Sequence, residues 1–561
     1  MEGSVVAGYS ITRAKFQLLG DTVVWLVFSY LAWALVLRPT IAWLRKWSAL
    51  RPLPGPCDGL PFWYSVRTYW EKSRSNSVKD ATYVFFQIIC DVSQQYRGTT
   101  FKAYLGMTPV VILHTPDAAQ TLLTSKTNLR KPVVYNFLAS WLGHHNILTA
   151  VGDSWRFKRR LMTPAFHFKV LDDYISSFNY NGKLLVERVD RLTAKHPGEP
   201  IPAFRLSQNC ALDVTTKVLM GVDLDSQLET TEPTFANHFN MLMFLIGVRI
   251  FRPWMWPDAL YDRTHEGRLY HKSIREMEKY TLEVLERRKG KLQQIADELE
   301  SVPGDYGGEG DDEAQDSVIV DRFLKAHLQD SRYSIDEVKK DIDSLLFAGT
   351  DTTTSAVGWA FYMLGLHPKV LAKVHQELDD IFGSDTERDI TGEDLKRMKY
   401  LDICFKESLR LFPAAPLIGR VLDEDLVVDG YRIPKGVTCF VNIYSLHRNP
   451  ECFKDPDLYI PERFLTSEVR NRHPFSYIPF SGGPKNCLGQ RFAILEAKTL
   501  LAKVLLKYTL ESTRPVSELR ITYEVILKAR GGLRIWFRNR THVDRAAKLA
   551  GFEETETNYG L

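Results

Sequence analysis

Most of the chain shows the spacing of apolar residues that is typical of helices. Helical patterns cover three long stretches: Trp155 to about Arg288, 318–382 and 392–412. Strand-like runs are shorter and lie at 101–106, 110–115, 425–433 and 436–442, with a predicted hairpin over 518–538 that turns at Gly531–Gly532. The pattern predicts a mainly α fold with small β-sheets, and it contains no repeated βαβ unit.

One long apolar run lies near the N-terminus. Residues 16–37 carry a single charge, Asp21, and a helix of that length reaches about 30 Å, enough to span a hydrocarbon core. A cleaved signal peptide is the alternative, but the run is long and lacks a small-residue cleavage site. The excess of Lys and Arg lies after the run, which predicts a single-pass anchor with the bulk of the chain in the cytosol.

The anchor divides the chain into predicted segments. They are a short lumenal N-terminus (1–15), a transmembrane helix (16–38), a basic, proline-rich linker (39–56), one main domain (57–541) and a C-terminal tail (542–561). Within the main domain, residues 303–317 are rich in Gly, Asp and Glu without apolar periodicity. That composition predicts a disordered acidic loop.

Composition excludes some classes of protein. The 561 residues are 45% hydrophobic with a net charge of +4, so bulk charge does not favour nucleic-acid binding. The seven cysteines are scattered and contain no CxxC pair. A disulfide framework is therefore not expected, and a reducing compartment agrees with the predicted cytosolic orientation.

One cysteine, Cys487, lies on a glycine-rich loop with the sequence FSGGPKNCLG (480–489). A disulfide, a nucleophile and a metal ligand are the three candidate roles. His473 is near in sequence, but nothing ties it to the thiol as a base. Loop N–H groups and Lys485 favour a thiolate ligand, and Gly489 allows a flat partner to approach the backbone. One cysteine cannot build a zinc site, whereas it can be the single protein ligand of a haem iron.

Two further constellations lie on predicted helices. Glu407 and Arg410 stand at i and i+3 among apolar residues, as a surface ion pair or a partly buried one. In LLFAGTDTTTSAV (345–357), the pair Asp351–Thr352 interrupts a helix, either as a simple kink or as a proton-handling pair beside a groove.

A basic segment, GDSWRFKRR (152–160), carries Trp155 and Arg159 at i and i+4. It is either a solvated basic face or an anion clamp formed by an indole N–H and a guanidinium.

Taken together, these motifs resemble the cytochrome P450 family. They occur in that family's order: the anchor and proline hinge, WRFKR (155–159), AGTDTT (348–353), ESLR (407–410), PERF (461–464) and FSGGPKNCLG (480–489). Three further stretches resemble the family 4 group, many of whose members hydroxylate fatty acids near the ω end: 159–168, 410–420 and 489–493.

The resemblance implies roles for individual residues. Cys487 matches the axial ligand of the haem iron, and Phe480 the aromatic that shields its sulfur. Asp351 and Thr352 match an acid–alcohol proton relay. The remaining matches are a structural triad (Glu407, Arg410, Arg463), residues that meet the haem propionates (Trp155, Arg159, Arg420, Lys485), the close-approach glycine Gly489, and pocket lining (Leu345, Ala348, Leu417, Ile418).

The same resemblance implies the partners. They are haem b, held without a covalent link beyond Cys487, NADPH supplied through a P450 reductase, cytochrome b5 as a second donor, a small hydrophobic substrate and the membrane of the endoplasmic reticulum. Terpenoid, sterol-like or xenobiotic substrates are alternatives, as are a peroxide-rearranging enzyme, a non-catalytic haem-binding protein and a membrane-anchored scaffold.

Two positions depart from the family 4 pattern. Ala348 stands where many members have a glutamate that can bond to haem, which predicts non-covalent haem and less certain terminal selectivity. Lys485 stands where the cysteine loop usually has arginine; the charge is kept and the planar fork is lost.

Overall fold

The computed structural model describes residues 30, 33–56, 61–75, 80–105, 108–228, 235–301, 318–330 and 332–540. Helices dominate these ranges. In the first half they are α1 (Arg38–Ala49), α2 (Pro61–Ser75), α3 (Ala81–Gln95), α4 (Pro116–Leu123), α5 (Ala139–Leu142), α6 (Gly152–Met162), α7 (Phe168–Lys195), α8 (Ala203–Met220), α9 (Phe235–Ile250), α10 (Asp258–Tyr261) and α11 (His265–Ser301). In the second half they are α12 (Ile319–Gln329), α13 (Ile335–Leu366), α14 (Pro368–Phe382), α15 (Gly392–Arg397), α16 (Lys399–Leu411), α17 (Ile443–Leu446), α18 (Thr466–Val469) and α19 (Gln490–Lys507).

The strands are short and form small sheets. They are β1 (Phe101–Leu105), β2 (Thr108–Leu113), β3 (Ile201–Pro202), β4 (Leu417–Val421), β5 (Leu426–Val428), β6 (Tyr431–Ile433), β7 (Thr438–Asn442), β8 (Tyr508–Ser512), β9 (Arg520–Glu524), β10 (Ile526–Arg530) and β11 (Arg534–Asn539). The sheets have the strand orders β1-β2-β7-β4, β3-β11-β8, β9-β10 and β5-β6. A mainly α fold with small sheets, as the sequence predicts, is therefore confirmed.

The predicted hairpin over 518–538 is wrong in its turn. The chain reverses at Val525, between β9 and β10, which pair in antiparallel register with Ile526 opposite Glu524. After Gly531–Gly532 the chain leaves this pair, and β11 joins β8 and β3 instead. Two glycines with positive φ are a turn signal in the sequence, but the choice of partner strand depends on side chains far away in the chain.

The long helix α13 runs through the main core. A capping box starts it, because the Ser334 side chain accepts from the Glu337 N–H while the Glu337 carboxylate accepts from the Ser334 N–H. It packs against α8, α16 and α19, and most of its residues from Val338 to Leu364 are buried. A second, smaller core lies between the four-stranded sheet and α4.

The structure describes only part of the segments predicted near the N-terminus. Most of the predicted anchor, residues 16–38, and the predicted acidic loop, 303–317, lie outside the described residues. In the ranges that the structure describes, no helix combines the length and the apolar character needed to cross a membrane. The predicted linker contains α1, and the residues after it are packed: Leu50 and Leu53 are buried, and the Lys102 N–H donates to the Pro54 carbonyl.

Candidate active site

The loop that carries Cys487 is closed by its own backbone and held against α4. The Cys487 N–H donates to the Phe480 carbonyl at 2.9 Å, and Phe480 packs against the main core. Gly483 has a φ of 69°, and a Cβ there would lie 1.9 Å from the Leu123 carbonyl oxygen at the end of α4. Only glycine fits at this position.

The Cys487 thiol is accessible although protein surrounds it. Burial raises its pKa above the ordinary value, while the Gly489 N–H and the Arg159 guanidinium oppose that shift. An added Cβ at Gly489 would meet only the Phe166 ring, at 3.8 Å, so the backbone after the thiol faces open space. A reachable sulfur with a donor and a cation beside it suits a thiolate ligand.

Glu407, Arg410 and Arg463 form one buried network. Arg410 donates twice to the Glu407 carboxylate, at 2.7 and 2.8 Å, and the Arg463 Nε lies 3.3 Å from Glu407 Oε1. The Ile460 N–H also donates to Glu407, and Arg410 bonds the carbonyls of His447, Pro456 and Leu458. The surface alternative for the i, i+3 pair is thereby excluded, because both side chains are fully buried and are extensively hydrogen-bonded.

The centre of α13 brings the second predicted pair into the core. The Thr352 hydroxyl donates to the Ala348 carbonyl at 2.6 Å. The Asp351 carboxylate is completely buried, and neither of its oxygens accepts a hydrogen bond from any described residue. Burial raises the pKa of Asp351, and the Lys528 ammonium on β10 lowers it. The Asp351 proton is therefore more readily held than that of a solvated aspartate.

Ala348 is the exposed residue of this stretch, whereas Leu345, one turn earlier, is buried. Leu417 and Ile418 lie at the start of β4, half-buried and buried. Phe347 belongs to an aromatic group with Trp141 and Phe239, in which edge-to-face ring centroids are 6.0 and 6.1 Å apart.

The residues of the basic segment on α6 differ in burial and in the partners that they contact. Arg159 donates to the Asn486 carbonyl and side-chain oxygen at 3.0 and 2.8 Å, directly before Cys487. The Lys158 ammonium is buried 2.5 Å from the Asp341 carboxylate on α13, so a uniformly solvated basic face is excluded. Trp155 is half-buried, with the Lys485 ammonium 5.6 Å from its ring centroid.

Three cations gather between the cysteine loop, β4 and the segment before α5. Burial lowers the pKa of Arg420, of Lys131 and of Lys485, the last to about 7, and Arg420 adds repulsion to both lysines. The Lys485 ammonium donates to the carbonyls of Leu148 and Ala150. Among the described residues, none of the three forms an ion pair with a carboxylate.

This arrangement fits the haem that the resemblance implies. An accessible thiol lies on a loop with glycine at the point of close approach, and a cationic cluster lacks a carboxylate partner within the described ranges. Two propionate groups have the charge that such a cluster requires. Arg420 and Lys485 were predicted for this role, whereas the contacts of Arg159 are with Asn486.

Sequence analysis predicts no role for three residues near these groups. Lys131 and Tyr135 lie together, with the ammonium 5.0 Å from the ring centroid, and Glu496 is buried beside Thr353, whose hydroxyl donates to it at 3.4 Å. Burial raises the pKa of Glu496 well above its usual range. Lys131 carries no recognisable motif, but Glu496 is a carboxylate in an apolar helical run, which is a usable signal of a special environment.

The chain matches known proteins over most of its length. The family profile described as Cytochrome P450 covers residues 78–533. Cytochrome P450 4V2 of Rattus norvegicus and that of Homo sapiens are each 33% identical over 512 residues, which are 91% of this chain and 94% of each relative. Cytochrome P450 4c3 of Drosophila melanogaster is 31% identical over 541 residues, 95% of both chains. The matched region includes the cysteine loop, the centre of α13 and the cationic cluster.

Proposed function

Since the chain belongs to the cytochrome P450 family, whose members are monooxygenases, we propose that it hydroxylates fatty acids at or near the ω end of the chain. The relatives named above are all family 4 members, which supports the substrate class. The observation that carries an apolar substrate is Ala348, a small apolar residue exposed at the centre of the buried helix α13, one turn before Thr352; the preference for the chain end rests on the likeness to family 4. An apolar part of a substrate fits beside a methyl group of this kind.

Cys487 is proposed to hold the haem iron, and Arg420, Lys485 and Trp155 to meet its propionates. Arg159, through Asn486, would hold the end of the loop in place. When bound, the haem supplies oxygen activation and oxygen insertion. Phe480 and Gly489 would shape the two sides of the cysteine, while Glu407, Arg410 and Arg463 hold the segment that leads to it.

Asp351 and Thr352 are proposed to handle protons. The Thr352 hydroxyl donates to the Ala348 carbonyl. The Thr352 oxygen can therefore still accept a hydrogen bond from a proton donor. Asp351, with its raised pKa, is suited to hold a proton and release it toward this hydroxyl. Leu345, Leu417 and Ile418 would position the substrate by apolar contact.

Electrons are proposed to come from NADPH through a P450 reductase, with cytochrome b5 as a second donor. We further propose the endoplasmic reticulum membrane as the location, with residues 16–38 as the anchor and 57–541 as a cytosolic catalytic domain. The apolar run at 16–37 and the positive charge after it support this orientation.

The test is turnover with NADPH, a P450 reductase and a panel of medium- to long-chain fatty acids, with products mapped by mass spectrometry. Hydroxylation at or next to the terminal carbon is expected for the wild type. Asp351→Asn should lower turnover about 100-fold, since positioned acid–base groups contribute at least that factor.

Absence of product from every fatty acid, in enzyme with intact Cys487 ligation, would refute the substrate assignment. The same assay would then be run with terpenoids. Undiminished turnover in Asp351→Asn would refute the proton role while leaving the substrate class standing.

A further inference from the structure

Among the described residues, the Asp351 carboxylate forms an ion pair with one cation, Lys528. The Lys528 ammonium on β10 lies 3.7 Å from Asp351 Oδ1 and 3.9 Å from the Glu524 carboxylate on β9. Asp351 is completely buried, whereas Lys528 keeps about a fifth of its side chain exposed, at 20%. Lys528 therefore stands between a buried carboxylate and solvent.

Backbone contacts hold Lys528 in this place. The carbonyl of Leu527 accepts hydrogen bonds from Ser355 at 2.8 Å and from the Trp359 indole at 3.4 Å, both on α13. The Leu527 N–H in turn donates to the Ala414 carbonyl at 3.0 Å. Asp351 lies one helical turn before Ser355. Lys528, which follows Leu527, is therefore placed beside the Asp351 carboxylate.

The turn before β10 is strained. Val525 has a φ of 68°, a region that a β-branched residue rarely occupies. Strain of this kind persists only where surrounding contacts determine the backbone. Here those contacts are the hydrogen bonds between Leu527 and α13. They hold β10 on the helix although the backbone of Val525 is strained.

Lys528 also lines an open groove of about 990 Å³ between α7, α8, α9 and the loop after β10. Its walls include Arg188, Phe204, Asn240, Thr354 and Arg534. The groove admits water to the outer side of Lys528, on the side of α13 where Thr354 lies. Asp351 does not line the groove itself, and the Lys528 ammonium, 3.7 Å from Asp351 Oδ1, is the group that connects the groove with this buried carboxylate.

We propose that Lys528 is a positioning residue that holds the Asp351 carboxylate toward the groove and allows its proton to be replaced from solvent. The inference rests on the proposed proton role of Asp351. When Asp351 releases a proton toward Thr352, one O–H bond breaks as another forms, and the carboxylate that remains is stabilised by the Lys528 ammonium. A proton from water in the groove then restores the acid, so the step needs no oxidant or reductant.

Glu524 completes the arrangement. Burial raises its pKa, and Lys528 lowers it. One ammonium therefore lies beside two buried carboxyl groups, and its removal would leave Glu524 with the Arg530 guanidinium and Asp351 with no cation among the described residues. Each would then retain its proton to a higher pH than in the wild type.

The test compares Lys528→Met, Lys528→Arg and the control Arg534→Met, which removes an exposed cation from the same groove. All are prepared as haem-loaded full-length protein, and the carbon monoxide difference spectrum of each must show intact thiolate ligation. The first measurement is the infrared carboxyl stretch, assigned to Asp351 by subtraction of the Asp351→Asn spectrum. Lys528→Met should show a protonated Asp351 band at neutral pH that is stronger than in wild type and control.

The second measurement is kinetic. Lys528→Met should lower kcat about tenfold with KM unchanged and raise the solvent isotope effect, a smaller loss than that of the acid itself. Lys528→Arg should restore most of kcat, because it keeps the charge. A merely structural role would change the unfolding temperature without changing the isotope effect.

The outcomes separate this inference from the proposed function. If Asp351→Asn impairs turnover while Lys528→Met matches the wild type in band intensity, kcat and isotope effect, the role of Lys528 is refuted and the proton role of Asp351 survives. If Asp351→Asn itself leaves kcat and coupling unchanged, the proposed proton role fails as well. If Lys528→Met cannot be loaded with haem, Lys528→Gln and the arginine variant replace it in both measurements.

Discussion

Gly483 is subject to two separate constraints, a positive φ of 69° and a Cβ position only 1.9 Å from the Leu123 carbonyl oxygen. Gly430, in the turn between β5 and β6, has a similar φ of 79° but no atom within 4 Å of the Cβ position. The two glycines therefore separate the cost of a left-handed backbone from the cost of a steric clash. Any residue other than glycine meets the cost of the left-handed backbone at both positions. The steric clash occurs only at Gly483, because α4 packs against the cysteine loop there.

Gly430→Ala should cost about 1 kcal/mol of stability, the usual penalty for a left-handed alanine. Gly483→Ala should cost about 3 kcal/mol more, since the loop must move away from α4. It should also weaken thiolate ligation, because Cys487 follows four residues later. Urea unfolding and the carbon monoxide difference spectrum measure these effects. Equal losses in the two variants would contradict the proposed contact with Leu123.

At the scale of elements, α6 is held to α13 by a buried ion pair. The Lys158 ammonium lies 2.5 Å from the Asp341 carboxylate, and the Tyr333 hydroxyl donates to the same carboxylate oxygen at 2.8 Å. Arg159, the next residue, reaches the cysteine loop. The ion pair therefore sets the position of a helix that contacts the loop beside Cys487.

Lys158→Met should lower the free energy of unfolding by about 3 kcal/mol, because it leaves a buried carboxylate without its cation. The loss should be larger at pH 8 than at pH 5. Burial already raises the pKa of Asp341, and without Lys158 it rises further. The unfolded chain then binds fewer protons than the folded one, so stability falls as the pH rises above the ordinary aspartate range.

The matched control is Arg156→Met on the same helix, where the cation is 64% exposed and pairs with Asp153. This variant should lie within about 0.5 kcal/mol of the wild type at both pH values. Urea unfolding of the haem-loaded proteins provides the comparison. A pH-independent loss in Lys158→Met would show that packing, and not the charge of Asp341, explains the effect.

At the scale of the whole molecule, the cationic cluster joins three distant parts of the chain: Lys131 before α5, Arg420 on β4 and Lys485 in the cysteine loop. Each lysine is repelled by Arg420, and burial opposes all three charges. The protein alone is therefore destabilised by the cluster. A bound group with two carboxylates would pair with these cations, so that the cluster would stabilise the folded protein.

Lys131→Met should raise the unfolding temperature of the haem-free protein and lower that of the haem-loaded protein. In the haem-loaded protein the free energy of unfolding should fall by about 2 kcal/mol, the value of a hydrogen bond to a charged group. Haem should also dissociate faster. Lys126→Met, at an exposed lysine nearby, should change neither. Shifts of the same sign with and without haem would show that Lys131 is not stabilised by the propionates.

Local pattern determines much of this protein. The Thr115 cap and Pro116 start α4 as their residue types predict, and the long helical periodicities became α12 to α16 because amphipathic spacing specifies a helix wherever a core exists. The ordered motifs led to the family, and the i, i+3 spacing of Glu407 and Arg410 led to their pair. These features depend on residues that are close in sequence.

Tertiary structure decided the rest. The turn at Val525, the burial of Lys158 and the cluster that includes Lys131 involve groups separated by tens to hundreds of residues, and none of them has a local signal. Lys528 is an ordinary strand residue until β10 docks on α13 through the Leu527 carbonyl. A charge acquires its role from the dielectric surroundings and from the partner it meets, and both exist only after the chain has folded.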